Sequence, residues 1–261
     1  MSIKKMLIVA VGGVLLALSA FPQHNRDAFR ISMEENRQGG KPNMDSKGEI
    51  EKLLFGDFNA LVEFFYSPAE ELVGKIAPSG FRVVRDSLYA SFSIEVKFIS
   101  NFEDVIHGVI HNTALSGNMW QPWHGEEERR RQQAELRTLQ RERQLQLFTV
   151  SSLSFPINQS LAERIQEKLK TFISVFEEEN PFPPIRSFSE ELGYWIESRV
   201  EVVGGDSVTF RTVVNDEVWS LWIHAPRNKA LEFSTLFRQM IEDAKVGEFN
   251  EERYMEILNA M

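Results

Sequence analysis

The sequence predicts an α+β domain: an antiparallel or mixed sheet built from two hairpins, at about 81–99 and 207–224, with helices packed against it. Three observations carry that expectation. Residues 91–98 alternate strictly between apolar and polar side chains, a second pair of β-rich runs is divided by Asn215-Asp216, and several runs place apolar residues at helical spacing. Strands and helices come in blocks, without the regular strand–helix–strand alternation of a parallel sheet.

The chain opens with Lys4 and Lys5, an apolar run from Leu7 to Leu18, and the small residues Ser19 and Ala20. This order is that of a secretory signal peptide, so residues 1–20 are expected to be cleaved and the protein to be periplasmic or secreted. The run falls short of the roughly 20 residues that span a bilayer. Leu18, where a small residue is usual before a cut after Ala20, keeps an uncleaved N-terminal anchor as the alternative. Residues 21–45 are polar and marked by Gly39-Gly40 and Lys41-Pro42. They are expected to form a flexible tether ahead of a single globular domain over 46–261.

The elements of that domain follow in order. Ile50, Leu53, Leu54 and Phe58 have helical spacing, and Val62–Tyr66 then reads equally as the end of that helix or as a strand. Phe81–Arg85 and the alternation of Phe92, Ile94, Val96 and Phe98 predict the first hairpin. Residues 101–111 look helical, with Asn101 as candidate cap. Residues 126–146 are Glu, Arg or Gln at all but Ala134, Leu136, Thr138, Leu139 and Leu145, which predicts one long, mostly solvated helix. Leu147–Pro156 reads as a strand leading into a helix with Leu161, Ile165, Leu169, Phe172, Ile173 and Phe176 on its apolar face. Asn180–Pro184 reads as a loop, and Leu192–Val203 as helix or strand. Ser207–Val214 and Glu217–His224 form the second hairpin, and two helices, Lys229–Val246 and Asn250–Asn259, finish the chain.

Composition narrows the function. The net charge is −9. Without the two signal lysines, 27 Lys and Arg face 38 Asp and Glu, or −11. That balance disfavours nucleic acid and anionic membrane surfaces as partners. The absence of cysteine excludes thiol catalysis and disulfides, leaving stability to the core.

Two groups of residues could carry chemistry. His107 and His111 stand four apart, with His124 thirteen further on and Glu103 one turn upstream. On a helix the pair would share one face, as a divalent metal such as zinc wants. The residue after His107 is Gly108, so the His-Glu-x-x-His of zinc proteases, with glutamate as general base, is absent. The simpler reading, which the missing glutamate and Gly108 favour, is a helix-end pair of surface or half-buried histidines. Trp120 and Trp123 lie in a Gly/Pro-marked loop and Phe182 in a Pro-rich one; flat rings on loops stack against ligands or plug the open end of a core. No nucleophile elbow, phosphate loop or dinucleotide fingerprint occurs.

The expected function is therefore that of a non-enzymatic exported protein binding an extracellular ligand or another protein, with Trp120, Trp123 and Phe182 at the site. The alternatives are a metal-dependent hydrolase or metal-binding protein using His107, His111 and His124, and an accessory subunit of an envelope assembly docking through the charged helix.

Overall fold

The computed structural model describes residues 29–35, 47–69, 75–86, 88–107, 142–179, 185–189, 194–198 and 205–261. Strands β1 (Phe29–Glu35), β2 (Val62–Ser67), β3 (Ser79–Asp86), β4 (Ser91–Ile99), β5 (Val150–Ile157), β8 (Ser207–Val214) and β9 (Glu217–His224) form one antiparallel sheet in the order β1-β9-β8-β2-β3-β4-β5. Helices α1 (Glu49–Phe55), α2 (Gln159–Glu179), α3 (Asn228–Val246) and α4 (Glu251–Ala260) complete this α+β fold. Strands β6 (Ile185–Ser189) and β7 (Tyr194–Ser198) pair as a separate two-stranded hairpin. The chain divides into two compact units, and this hairpin lies in the smaller, over 183–203 with 1–28; the sheet lies in the larger, over 29–182 and 204–261.

Both expected hairpins are present. In the first, Phe92, Ile94 and Val96 are buried on one face of β4, as their alternation requires. In the second, Asn215 and Asp216 both take positive φ, 47° and 65°, the pair of values a type I′ turn needs. The undecided run Val62–Tyr66 is a strand, and it is the central strand of the sheet. Its helix stops earlier because Gly56, at φ 61°, ends α1 after Phe55.

Two expectations need correction. Within 21–45, where polar composition predicts a tether, Phe29–Glu35 is strand β1, paired along its length with β9. Its short alternation supplies the reason: Phe29 and Ile31 pack against the core, and the Phe29 ring meets Phe176 of α2 edge-on at 5.0 Å. Asn101 does not cap a helix with its side chain. It spans two segments instead, accepting from Thr149 N–H at 2.7 Å and donating to the Leu147 carbonyl at 2.9 Å, which ties the end of β4 to the approach of β5. Of the long charged helix expected over 126–146, residues 142–146 are helical and the rest lies outside the described residues.

The sheet has two unlike faces. One carries Phe64, Phe81, Val96, Phe210 and Leu221 against α2, α3 and α4. Phenylalanine rings knit this core: Phe237 of α3 stands 5.3 Å from Phe64, 5.1 Å from Phe81 and 5.8 Å from Phe233, and Phe172 of α2 stands 5.5 Å from Phe210. Such edge-on and tilted pairs add to the burial of large apolar area. The other face carries charge, and α1 lies over its middle, with Leu54 and Phe55 joining Phe65, Ile99, Phe102 and Ile106 in a smaller cluster. Gly80 of β3 admits α1: a Cβ there would collide with the Phe64 carbonyl oxygen and come within 2.9 Å of Cζ of Phe55.

Two substitutions test this packing by urea unfolding. Phe237→Ala, which empties the meeting point of the rings, is expected to cost about 3–5 kcal/mol. Gly80→Ala is expected to cost about 1–3 kcal/mol by overpacking, despite adding a single carbon.

Candidate functional site

Adjacent strands place residues in register, and on the charged face one register line crosses all seven. It reads Ser32, Ser220, Arg211, Glu63, Arg82, Glu95 and Ser154 from β1 to β5. Charges alternate through its middle, as cross-strand neighbours on one face favour. Arg82 Nε bonds Glu95 Oε2 at 2.7 Å, and Arg211 Nη1 bonds Glu63 Oε1 at 3.1 Å. From above, Lys47 Nζ reaches Glu63 Oε1 at 2.7 Å, and Glu51 of α1 takes the Arg211 guanidinium. All four of Lys47, Glu51, Glu63 and Arg211 are buried.

The two cations and two carboxylates of this cluster balance in number. Burial pushes the Glu63 carboxyl above its ordinary range, against the pull of Lys47 and Arg211. Burial likewise lowers the Lys47 ammonium, against Glu63. Desolvation works against Arg211 too, but Glu51 and Glu63 hold it above its usual value. Oε2 of Glu63 has no hydrogen-bond partner among the described residues. Nothing in this enclosed arrangement is open to a substrate, and its role is to close the polar face under α1.

An open concavity lies elsewhere. A cleft of about 550 Å³ is bounded by the solvent side of α3, through Thr235, Arg238, Gln239, Glu242 and Lys245, and by Tyr66 with Lys75, Ile76, Ala77 and Ser79. The α3 residues share one side because their spacing repeats the helical turn. Asp206, just before β8, organises one end. Its Oδ2 accepts from the Tyr66 hydroxyl at 2.9 Å, its Oδ1 from Ala69 N–H at 2.9 Å, and Oδ2 lies 3.7 Å from Nη1 of Arg238. The guanidinium of Arg238 rests 4.1 Å from the centre of the Tyr66 ring, a cation–π seat. At the other end, Lys245 Nζ sits 4.9 Å from the centre of the Phe98 ring and 2.8 Å from Glu242. Burial, opposed by Arg238 and aided by Asp206, pushes the Tyr66 hydroxyl up to about 12.

The residues singled out in the sequence are placed as follows. His107 stands exposed at the end of the helical segment 102–107, with Nε2 3.6 Å from Glu103 Oε1. His111, His124, Trp120, Trp123 and Phe182 lie outside the described residues. Among the described residues, no three His, Asp or Glu side chains gather as metal ligands. The cleft residues were not anticipated. The helical stripe of Thr235, Arg238, Gln239, Glu242 and Lys245 is readable as a polar side, but nothing local separates it from an ordinary solvated one.

The buried cluster and the cleft each yield a prediction. Glu63→Leu leaves two buried cations facing one carboxylate and is expected to lower stability by about 3–5 kcal/mol. Adding Lys47→Met is expected to restore most of that loss in urea unfolding, since both charges are then gone. For Tyr66 the folded-state pKa of about 12 exceeds the ordinary value of 10.0. The unfolded chain therefore loses this proton first, so stability falls as pH rises from 10 towards 12. In Tyr66→Phe that fall should be shallower, measured as urea midpoints across the window.

No known protein family matches this chain, and no curated protein or solved structure shows significant similarity to it.

Proposed function

We propose that this chain is an exported, non-enzymatic binding protein and that the cleft beside α3 holds its ligand. The observation that carries this reading is the cleft itself, whose volume of about 550 Å³ falls in the range of small-molecule sites. Its polar groups are held in place by partners: Asp206 orients Tyr66 and Arg238, and Glu242 orients Lys245. Preorganised groups of this kind bind without a large ordering cost.

Their chemistry favours holding over turning over. The one carboxylate among the described lining residues is paired with Lys245, and histidine is not among them. The Tyr66 hydroxyl is committed to Asp206 and its raised pKa leaves it protonated at neutral pH, a poor general base. The lysine-led apolar run of residues 1–20 supports export. A large phenylalanine core suits a chain that has no disulfides to draw on.

The test is a thermal-shift screen of small molecules against the parent protein and Thr235→Trp, which puts a ring into the cleft from an exposed position of α3. Compounds that raise the melting temperature of the parent and not of the variant are expected. Compounds that act equally on both, or an absence of any stabilising compound, would contradict the reading.

A further inference from the structure

The structure assigns a chemical class to the ligand: we infer that the cleft takes an extended organic dianion, with two carboxylate or phosphate ends joined by a largely apolar middle. This rests on the binding reading above and adds the ligand's chemistry to it. Among the described lining residues, Lys75, Arg238 and Lys245 are cations and Glu242 is the one acid. Asp206 borders one end, so three cations face two carboxylates, which leaves an excess of one positive charge in a chain whose net charge is −9. A local reversal of sign within a concave wall focuses field and attracts anions.

The cations are fixed at two stations. Arg238 is seated on Tyr66, with its ion pair to Asp206 at 3.7 Å, and no hydrogen bond among the described residues takes up its N–H groups. The second oxygen of Asp206 is occupied by Ala69 N–H, so the acid positions the guanidinium more than it saturates it. Lys245 is seated near Phe98 and gives one of its three N–H donors to Glu242. Seven residues separate the two, which is about two helical turns, or roughly 10 Å along the axis. Ile76 and Ala77 also line the cleft and offer apolar contact. Glu242 lies between Arg238 and Lys245 in the helix and disfavours a third negative charge in the ligand's middle. Guanidinium and ammonium groups bind carboxylates and phosphates through charge-assisted hydrogen bonds, which are the stronger kind.

The experiment is calorimetric titration of the purified protein with straight-chain dicarboxylates (succinate, adipate, suberate and sebacate). Octanoate, octanediamine and octanediol serve as length-matched controls. Affinity is expected to rise from succinate to suberate and to exceed that for octanoate by roughly tenfold, the value of one charge-assisted hydrogen bond. Arg238→Gln and Lys245→Gln should each reduce suberate affinity by a similar factor, Lys245→Arg should retain it, and melting curves report whether each variant is folded. Tighter binding of the diamine or the diol, or affinity unaffected by both Gln substitutions, overturns the dianion assignment. If no dicarboxylate binds while other compounds are still blocked by Thr235→Trp, the dianion assignment falls and the binding reading stands. If suberate binds Thr235→Trp as tightly as the parent, the ligand is not in the cleft and both readings fall.

Discussion

Glu63 lies near the start of the central strand, fully buried, and the organisation of the sheet follows from how its charge is met. A lone carboxylate at that depth would be prohibitively costly to ionise. Register places Arg211 on one side of it and Arg82 on the other, and Lys47 approaches from above. Glu51 then answers the second charge of the Arg211 neighbourhood, which fixes α1 against the sheet. These ion pairs hold α1 where Phe55 packs into the gap left by Gly80. The opposite side of the same strand, through Phe64 and Tyr66, is left wholly apolar or aromatic for α2 and α3. A period of two along β2 thus separates a charged face from a phenylalanine core with no residue shared between them.

The cleft sits where this arrangement ends. Tyr66 closes the core face of β2, and its hydroxyl turns to Asp206 at the start of β8. That single carboxylate joins the end of β2, the chain leaving it and the helix α3, so the core and the cleft share a boundary residue. In the buried cluster cations and carboxylates match in number, while in the cleft three described cations face the two carboxylates of Glu242 and Asp206. The first pattern is that of a structural joint and the second that of a surface waiting for a counterpart.

Much of the fold was legible in the chain. The alternation of Phe92 to Phe98 marked β4, Asn215-Asp216 marked a turn that needs positive φ twice, and the apolar spacing of Leu161 to Phe176 marked α2. What escaped notice did so for physical reasons. Phe29–Glu35 is a strand because β9 offers it an edge, and its flanking polar residues hide a short alternation. Val62–Ser67 reads ambiguously because both of its faces are buried, which removes the polar half of a strand's signature. Arg211 and Glu63 are buried charges that no local pattern marks, because their partners Lys47 and Glu51 come from a distant segment. The cleft draws on Tyr66, on residues 75–79 and on α3, and no local pattern joins segments so far apart. The aromatic loop residues Trp120, Trp123 and Phe182, with His111 and His124, lie outside the described residues, and His107 stands exposed beside Glu103.

The central claim, that the positively charged cleft beside α3 is where the molecule meets its ligand, is tested most directly by amide hydrogen exchange with and without saturating suberate. Slowed exchange is expected at residues 75–79 and along α3 from Thr235 to Lys245 alone, with the α1 region over the buried charges unchanged. Slowing spread evenly over the chain, or centred on α1 or on His107, would contradict it.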